Sequence, residues 1–386
     1  MRSKRSVLFV RPDYHCSFFY RDELRKNGWK ADIYVPNIYP EYLLYSSSDI
    51  LRSPKIKNSK NSILRLINII INFFWWHTIF WRYSTHIYYG RPPVLQGIDK
   101  FLSLLKIFRK DFVWELSISK LFNINLIYIP SGCRDNDLKK TWSTFDSGNV
   151  CNNCGYYNQC DDLINEISFK IIRKYFSFSM GGDSEAKSSS QIECKINKYK
   201  SIDLDLWSPN LEIPEEYLLP KTKNLRILHS AFLDKSDRNW KGRNIKGSPY
   251  IIEAIKRLKE EGHSVEYFFI NNKKSNEMRF YQAQADIVVE QLIYGWWGST
   301  FVEASALGKP VVCYLRPSFK NFFLNNFSEY RNLPILEADT KSIYDVLKRL
   351  VVDSDLRTKS GIESRVFAEQ HFDSEKNAQS LIKLIS

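Results

Sequence analysis

The sequence has no long uninterrupted hydrophobic run. Its longest apolar stretch, Leu66–Trp81, contains two asparagines and a histidine and is shorter than the roughly 20 apolar residues of a membrane-spanning helix. Near the amino terminus only four apolar residues, Val7–Val10, follow the basic start, whereas a signal-peptide core needs roughly seven or more. These absences argue against a transmembrane helix and an export signal. We therefore expect a cytoplasmic protein, with peripheral attachment to the inner face of the membrane as an option.

Acidic residues are few relative to basic ones. The chain has 56 Lys and Arg against 43 Asp and Glu, a formal net charge of +13. Residues 1–120 hold 20 basic against 9 acidic residues, so most of the excess lies there. Such a region indicates a polyanionic partner, and charge alone leaves nucleic acid and an anionic membrane face open. Because no recognisable RNA- or DNA-binding motif occurs, we expect an anionic membrane surface and no nucleic acid.

Two series of alternating strands and helices predict two α/β domains. At 386 residues the chain is too long for one ordinary core. Strand–helix–strand patterns begin near Val7 and again near Arg226, and this alternation is typical of parallel sheets covered by helices. We expect a first domain over 1–205 with a cysteine-rich insertion at 133–160, a linker over 206–223, a second domain over 224–370 and a closing helix over 371–386.

One segment, Gly295–Val312, contains a candidate anion site. A predicted strand leads into a glycine-bearing loop, and a helix begins near Ser299 and Thr300. Gly298 has no Cβ and lets the backbone approach a ligand, while the next two amides lie at a helix amino terminus that favours phosphate. Glu303, about one turn into the helix, can reach a ribose hydroxyl pair. The same pattern also fits a purely structural strand–loop–helix unit.

This segment resembles the nucleotide-sugar motif of GT-B glycosyltransferases, especially the family-4-like group. Lys246-Gly247-Ser248 matches the Lys-Gly that opens the first helix of that family's second domain, and Asp203–Pro209 is similar to the segment before its linker. Arg357–Asp373 is similar to the closing helices, the last of which crosses back onto the first domain. The resemblance covers 200–386 well and 1–130 as architecture only. It implies two Rossmann-like α/β domains facing a cleft, with the carboxy-terminal helix packed toward the first.

The resemblance implies sugar transfer from a nucleotide diphosphate sugar to an acceptor on the first domain, without a catalytic metal. By match, Lys246 would neutralise the diphosphate beside Arg243 or Arg238, and Glu303 would hold the ribose. His229 would point into the cleft, with a packed, hydrogen-bonded histidine as the alternative. The donor-site residues implied are Lys246, Arg243, His229, Gly298, Ser299, Thr300 and Glu303.

Two departures from the family pattern leave the catalytic residues unknown. The glutamate that family members carry eight residues before the ribose-binding one is replaced by Gly295, and the histidine before a glycine in the first domain is replaced by Ser131. Sugar contacts would then come from Trp296, Trp297 or Asp135. Retention of anomeric configuration is the family expectation. A catalytically inactive GT-B partner subunit and a GT-B-like epimerase are the alternatives.

Four cysteines cluster within 28 residues. Cys133, Cys151, Cys154 and Cys160 have the spacing C-x17-C-x2-C-x5-C, and the C-x2-C pair suits tetrahedral zinc. An iron–sulfur cluster, two disulfides and four free thiols are the competing interpretations. We expect a structural zinc site that closes a polar insertion. A basic zinc-containing nucleic-acid-binding protein is the alternative from another functional class.

The aromatic stretch Leu66–Trp81 has basic residues on both sides. Aromatics beside cations are typical of an element that lies in the headgroup layer of a membrane, while a buried helix plus a strand is the alternative. Together with the basic first domain, this favours a glycan or lipid-linked acceptor, as in the synthesis of bacterial surface polysaccharides.

Overall fold

The chain forms two compact α/β units. The computed structural model describes residues 4–36, 44–46, 48–54, 62–90, 92, 112–130, 149–152, 154, 162–181, 192–196, 200–231, 244–271, 273–317, 320–324, 328 and 331–386. The described parts of 4–130 and 162–196 together with 374–386 form unit 1, and 200–373 form unit 2. This division after residue 199 lies six residues before the predicted boundary, and the described residues of the cysteine-rich insertion group with unit 2.

Unit 1 is built on a parallel sheet of short, apolar strands. The sheet has seven strands in the order β3-β2-β1-β4-β5-β6-β7, and each neighbouring pair is parallel. The central strands are apolar on both faces because helices cover both sides of the sheet. The strands are β1 Ser6–Val10, β2 Lys30–Val35, β3 Leu51–Arg52, β4 Thr85–Tyr89, β5 Asn125–Ile129, β6 Phe178–Met180 and β7 Cys194–Ile196.

The helices of unit 1 divide between the two faces of this sheet. Successive residues of a strand point to opposite faces. Accordingly, Val7 and Phe9 of β1 pack in the core that includes Leu24 of α1 and Leu381 of α11, while Leu8 packs in the core beneath α2, α3 and α5. The helices are α1 Cys16–Lys26, α2 Ser62–Ile79 followed by the 3-10 turn Phe80–Arg82, α3 Trp114–Leu121, α5 Asp162–Tyr175 and α11 Ser374–Ile385.

Unit 2 repeats the same architecture. Its five parallel strands have the order β12-β11-β10-β8-β9: β8 Leu225–Ser230, β9 Val265–Ile270, β10 Ile287–Gln291, β11 Val311–Cys313 and β12 Ile335–Glu337. Ile227, Val289 and Val312 face a common core with α6 and α9. The helices are α4 Asn149–Asn152, α6 Ser248–Glu260, α7 Met278–Ala283, α8 Ser299–Ala306, α9 Ile343–Val352 and α10 Ser354–His371, and short turns lie at Glu215–Tyr217 and Lys320–Leu324.

The order of the strands indicates which loops are expected to bind a ligand. In unit 2 the chain builds the sheet outward from β8, with β9 on one side and β10 on the other. In unit 1 the same change of direction occurs between β1 and β4. Ligands of open α/β sheets bind outside the carboxyl ends of the strands at such points. A ligand-binding site is therefore expected in the loops that follow β1, β4, β8 and β10.

Candidate functional site

Two loops of unit 2 lie side by side at the change of direction between β8 and β10. The amide of Leu292, after β10, donates to the carbonyl of Lys246, before α6, at 3.0 Å. Gly247 has a φ of +77°, and a Cβ there would lie 2.9 Å from the Cβ of Leu292. Only glycine meets both conditions, so this residue allows the two loops to join.

The turn that carries Lys246 is held by Asn244. The Asn244 Oδ1 atom accepts hydrogen bonds from the amides of Lys246 at 3.0 Å, Gly247 at 2.9 Å and Ser248 at 3.4 Å. The half-exposed side chain of Lys246 makes no ion pair with any residue that the structure describes, although its charge acts on two buried glutamates. It is placed as a cation at the mouth of the site. Arg243 and Arg238 lie outside the described residues.

His229 supports this turn from beneath. It is fully buried at the end of β8, where Nδ1–H donates to the Val289 carbonyl at 2.8 Å and Nε2 accepts from the Ser248 hydroxyl at 2.7 Å. Because a carbonyl can only accept, this tautomer follows from the geometry. Burial lowers the pKa of His229 to about 3, so the ring is neutral. With both nitrogens occupied, His229 matches the packed alternative rather than a side chain that points at a ligand.

Gln291 fixes the loop after β10. Its Nε2 donates to the Trp296 carbonyl at 2.6 Å, and its Oε1 accepts from the amides of Ile293 at 3.2 Å and Gly295 at 3.1 Å. One buried amide side chain therefore satisfies three backbone groups of a tight loop. The sequence did not indicate this role, because a glutamine at the end of a strand carries no sign of what it contacts.

The absence of a glutamate at position 295, where the resemblance implies one, has a steric explanation. Gly295 has a φ of +77°, and a Cβ there would lie 2.8 Å from the Cβ of Arg316. The Arg316 side chain is buried and donates to the Tyr294 carbonyl at 2.9 Å. No side chain fits at position 295 without displacing it.

The two tryptophans suggested for sugar contact are largely inaccessible. Trp296 and Trp297 are 8% and 4% exposed, and their rings stack with centroids 5.3 Å apart. They act as the packed wall of the loop. Asp135, the third candidate, lies outside the described residues.

Glu303 lies inside α8 and is almost completely buried. Its Oε2 accepts from the side-chain amide of Gln282 in α7 at 2.8 Å. Burial raises the pKa of Glu303 to about 8, against the opposing effect of that hydrogen bond, and the charge of Glu290 raises it further. Glu303 is therefore protonated at neutral pH in the chain without ligand.

Glu290 is a second buried acid that the sequence prediction missed. It lies near the end of β10, 1% exposed, and its Oε1 accepts the amide of Gly298 at 2.5 Å. The amide of Gly298, one of the implied donor-site residues, is thus used within the protein, whereas half-exposed Ser299 and Thr300 open α8 as predicted. The feature of the sequence that could have indicated Glu290 is a carboxylate at the end of an apolar strand, next to the glycine-bearing loop.

The cysteine cluster is described only in part. Cys151 and Cys154 are half-exposed, and the amide of Cys154 donates to the Cys151 carbonyl at 3.1 Å. Cys133 and Cys160 lie outside the described residues. Within the described ranges, no group of three His, Cys, Asp or Glu side chains is arranged to hold a metal ion.

Unit 1 has a polar cluster after β1. Arg11 and Tyr14 adopt positive φ values of 64° and 43°, which are strained for residues other than glycine. Between and after them lie the fully buried Asp13 and His15, and the Arg11 guanidinium donates to the Gly90 carbonyl after β4 at 3.4 Å. Strain and buried polar groups at a change of direction in a parallel sheet are typical of a binding site.

No protein-family model and no curated protein matches the chain. Solved structures match it over nearly its whole length. Sucrose-phosphate synthase from Thermosynechococcus elongatus gives a TM-score of 0.62 at 12% identity and covers 98% of each chain. Anabaena HepE, in complex with UDP and glucose, gives 0.57 at 12% identity, again with 98% of each chain. A Listeria monocytogenes protein proposed to be a UDP-N-acetylglucosamine 2-epimerase gives 0.53 at 10% identity, with 99% of this chain and 96% of that one.

Likenesses at this identity show the fold. The predicted fold class is confirmed: two Rossmann-like parallel sheets of the GT-B type, with α11 belonging to the first unit.

Proposed function

We propose that this GT-B-fold chain is a glycosyltransferase that takes a sugar from a nucleotide diphosphate sugar. The observation that carries the proposal is the set of groups gathered where β8 and β10 diverge: the Lys246 ammonium, the start of α8 and the Glu303 carboxyl. A cation and a helix amino terminus suit a diphosphate, and a carboxyl one turn into the helix suits a ribose diol. HepE, solved with UDP and glucose, shares the fold.

Each group has a distinct role in this proposal. Lys246 neutralises the diphosphate as a point charge, aided by Arg243, and the amides of Ser299 and Thr300 donate to phosphate oxygens. Glu303 accepts the ribose hydroxyls in place of the Gln282 amide. Gly298 has no side chain to obstruct the ligand, while His229 and Asn244 hold the turn that carries Lys246.

The test is the binding of nucleoside diphosphates and their sugars, measured by thermal shift and calorimetry. We expect one nucleotide class to stabilise the wild-type chain and Lys246→Ala to weaken its binding about tenfold or more, because a charge-assisted contact of about 1.4 kcal/mol or more is lost. Lys256→Ala, which changes an exposed lysine of α6, is the matched control. Equal affinities of Lys246→Ala and wild type would overturn the assignment.

We propose that the acceptor is a glycan or a lipid-linked glycan of bacterial surface polysaccharide synthesis, bound at the cluster after β1. The strained loop with Asp13 and His15 supports this position. The resemblance favours retention of anomeric configuration, and NMR of the first-formed product distinguishes retention from inversion. Assays for donor hydrolysis, epimerisation and transfer distinguish three candidate functions. A transferase moves the sugar to an acceptor, and an inactive subunit does not act on the donor. An epimerase would convert the sugar, and the Listeria protein proposed to be an epimerase shares the fold.

We also propose that unit 1 docks on an anionic membrane face through α2. None of the helices described is long and apolar enough to cross a membrane. However, α2 buries one face through Trp76 and Ile79 and leaves an apolar stripe exposed on the opposite face. This stripe consists of Ile63, Leu66, Ile67, Ile70 and Phe74.

The basic residues around α2 favour an anionic membrane as the partner that contacts this stripe. Between Asp49 and Asp99 the sequence has seven Lys or Arg and no acidic residue. An apolar helix face within a wholly basic segment suits insertion among anionic headgroups.

Flotation with phosphatidylglycerol and phosphatidylcholine vesicles tests the docking. We expect binding to the anionic vesicles at low salt, and loss of most of it in Phe74→Glu, which changes a 65% exposed residue. Ile362→Glu, at a 60% exposed position of α10, is the control. Binding that is independent of lipid charge, or a dimer that Phe74→Glu dissociates, would contradict a membrane occupant.

Structural zinc at Cys133, Cys151, Cys154 and Cys160 is proposed as well. The turn that brings Cys154 back to Cys151 suits a C-x2-C zinc knuckle. Metal analysis of the purified chain should give one zinc, lost in the Cys151→Ser/Cys154→Ser variant and kept in Cys194→Ser. Absence of zinc from the wild type would contradict this.

A further inference from the structure

Glu290 is a buried carboxylate to which the donor-site proposal gives no role. Its Oε1 accepts the Gly298 amide at 2.5 Å. Its Oε2 meets no nitrogen or oxygen donor in the described part of the chain, and the weak thiol donor of Cys313 contributes least to stabilising its charge. A buried acid with one oxygen so poorly satisfied is costly, and such costs are typically retained at functional sites.

Glu290 and Gly298 form a matched pair. A Cβ at position 298 would lie 2.9 Å from Oε1 of Glu290, so any other residue would displace the carboxylate. With the glycine present, the carboxylate holds the backbone one residue before α8 begins. The amides of Ser299 and Thr300 follow directly and take their direction from this anchor.

The hydrogen bond from Gly298 also matters to Glu290 itself. Burial raises the pKa of Glu290, and the charge of Lys246 and the hydrogen bond from the Gly298 amide oppose that rise. The carboxyl group and the Gly298 amide therefore depend on each other.

We propose that Glu290 is a positioning residue of the donor site, which anchors Gly298 and so aligns the amides of Ser299 and Thr300 for phosphate. This rests on the proposed donor site. Because the anchor is a hydrogen bond to one carboxyl oxygen, a side chain that keeps an acceptor oxygen in the same place should keep the alignment.

Calorimetry with UDP, or with the diphosphate that stabilises the wild type most, tests this. The Glu290→Gln amide oxygen still accepts from Gly298, so we expect this variant to bind about as tightly as the wild type. Glu290→Ala loses the anchor, and its affinity should fall about tenfold or more. Glu266→Gln in β9 is the control.

The outcomes separate the two proposals. If the wild type binds no nucleotide, the donor site fails, and the anchor is then judged on the chain alone by hydrogen exchange at the Gly298 amide. We expect Glu290→Ala to speed this exchange and Glu290→Gln to leave it near the wild-type rate. A Glu290→Ala variant that matches the wild type in affinity and in exchange overturns the inference. An affinity loss in Glu290→Gln as large as in Glu290→Ala also overturns it, so the test does not depend on the folding of Glu290→Ala.

Discussion

At the scale of single residues, Glu303 combines a proposed binding role with a cost in stability. Burial raises its pKa from 4.5 to about 8. Between these values the folded chain keeps a proton that the unfolded chain has released. The free energy of unfolding therefore falls as pH rises through this window, by up to about 1.4 kcal/mol per pH unit, and levels off above it.

We expect Glu303→Gln to be more stable than the wild type, because a neutral amide avoids this cost. The gain should be small at pH 5 and largest above pH 8, as measured by urea denaturation at several pH values. Glu363→Gln, which changes an exposed residue of α10, is the control. A gain that is the same at pH 5 and pH 8 would contradict the buried proton.

Gly295 gives a prediction that separates steric from conformational cost. Gly295→Ala meets both a φ of +77° and the Arg316 Cβ at 2.8 Å. Gly28→Ala meets a φ of +76° with nothing within 4 Å of the new Cβ. We expect Gly295→Ala to lose about 1–3 kcal/mol more than Gly28→Ala in urea denaturation, because overpacking adds to the strain. Equal losses would show that the loop adapts around Arg316.

Sequence reasoning could propose residues that would touch a ligand, but it could not propose the residues that hold them in place. The lysine turn and Glu303 lie in one unit at the predicted edge of the sheet. Asn244, Gln282 and Gln291 were missed, because a polar residue beside a glycine or inside a helix does not reveal which distant group it meets. Glu290 was missed for a related reason, since the sequence pattern predicts a strand over Asp286–Val289, which ends one residue before it.

At the scale of elements, long apolar patterns were reliable and short ones were not. The patterns predict strands at Thr85–Tyr89, Asn125–Ile129 and Val265–Ile270, and β4, β5 and β9 have these bounds. The predicted helix near Phe18–Lys26 and the predicted strand Val7–Val10 differ from α1 and β1 by at most two residues at an end. The two- and three-residue strands β3, β6, β7 and β12 were not predicted, because so short a segment has no periodicity to detect. Periodicity also could not tell that α2 keeps an apolar face exposed, since both of its faces are apolar.

The last helix gives the prediction at this scale. Leu381 of α11 is fully buried in the core shared with α1. We expect Leu381→Ala to lose about 2–5 kcal/mol of unfolding free energy, because it leaves a cavity. Leu384→Ala, on the same helix at a 39% exposed position, should lose much less. Similar losses in the two variants, measured by urea denaturation, would show that α11 does not complete the core of unit 1.

At the scale of the molecule, the described chain passes between the units four times, the first two passages flanking the residues around α4 that group with unit 2. It leaves unit 1 after residue 199, builds unit 2 and re-enters unit 1 at residue 374. At the crossing, the amide of Ile202 donates to the Phe372 carbonyl at 2.8 Å, so the outgoing and returning segments are paired. Two sheets can be predicted from local patterns, but this return depends on a contact between residues far apart in the sequence.

The return of α11 sets an order for folding during synthesis. Nascent chains emerge at roughly 5–20 residues per second, so roughly 10–35 s pass between the end of β7 and the arrival of α11. Throughout that interval the apolar side of α1 lacks its covering residues Ala378 and Leu381. The core of the second unit to be translated can therefore close before that of the first, which stays incomplete until α11 arrives.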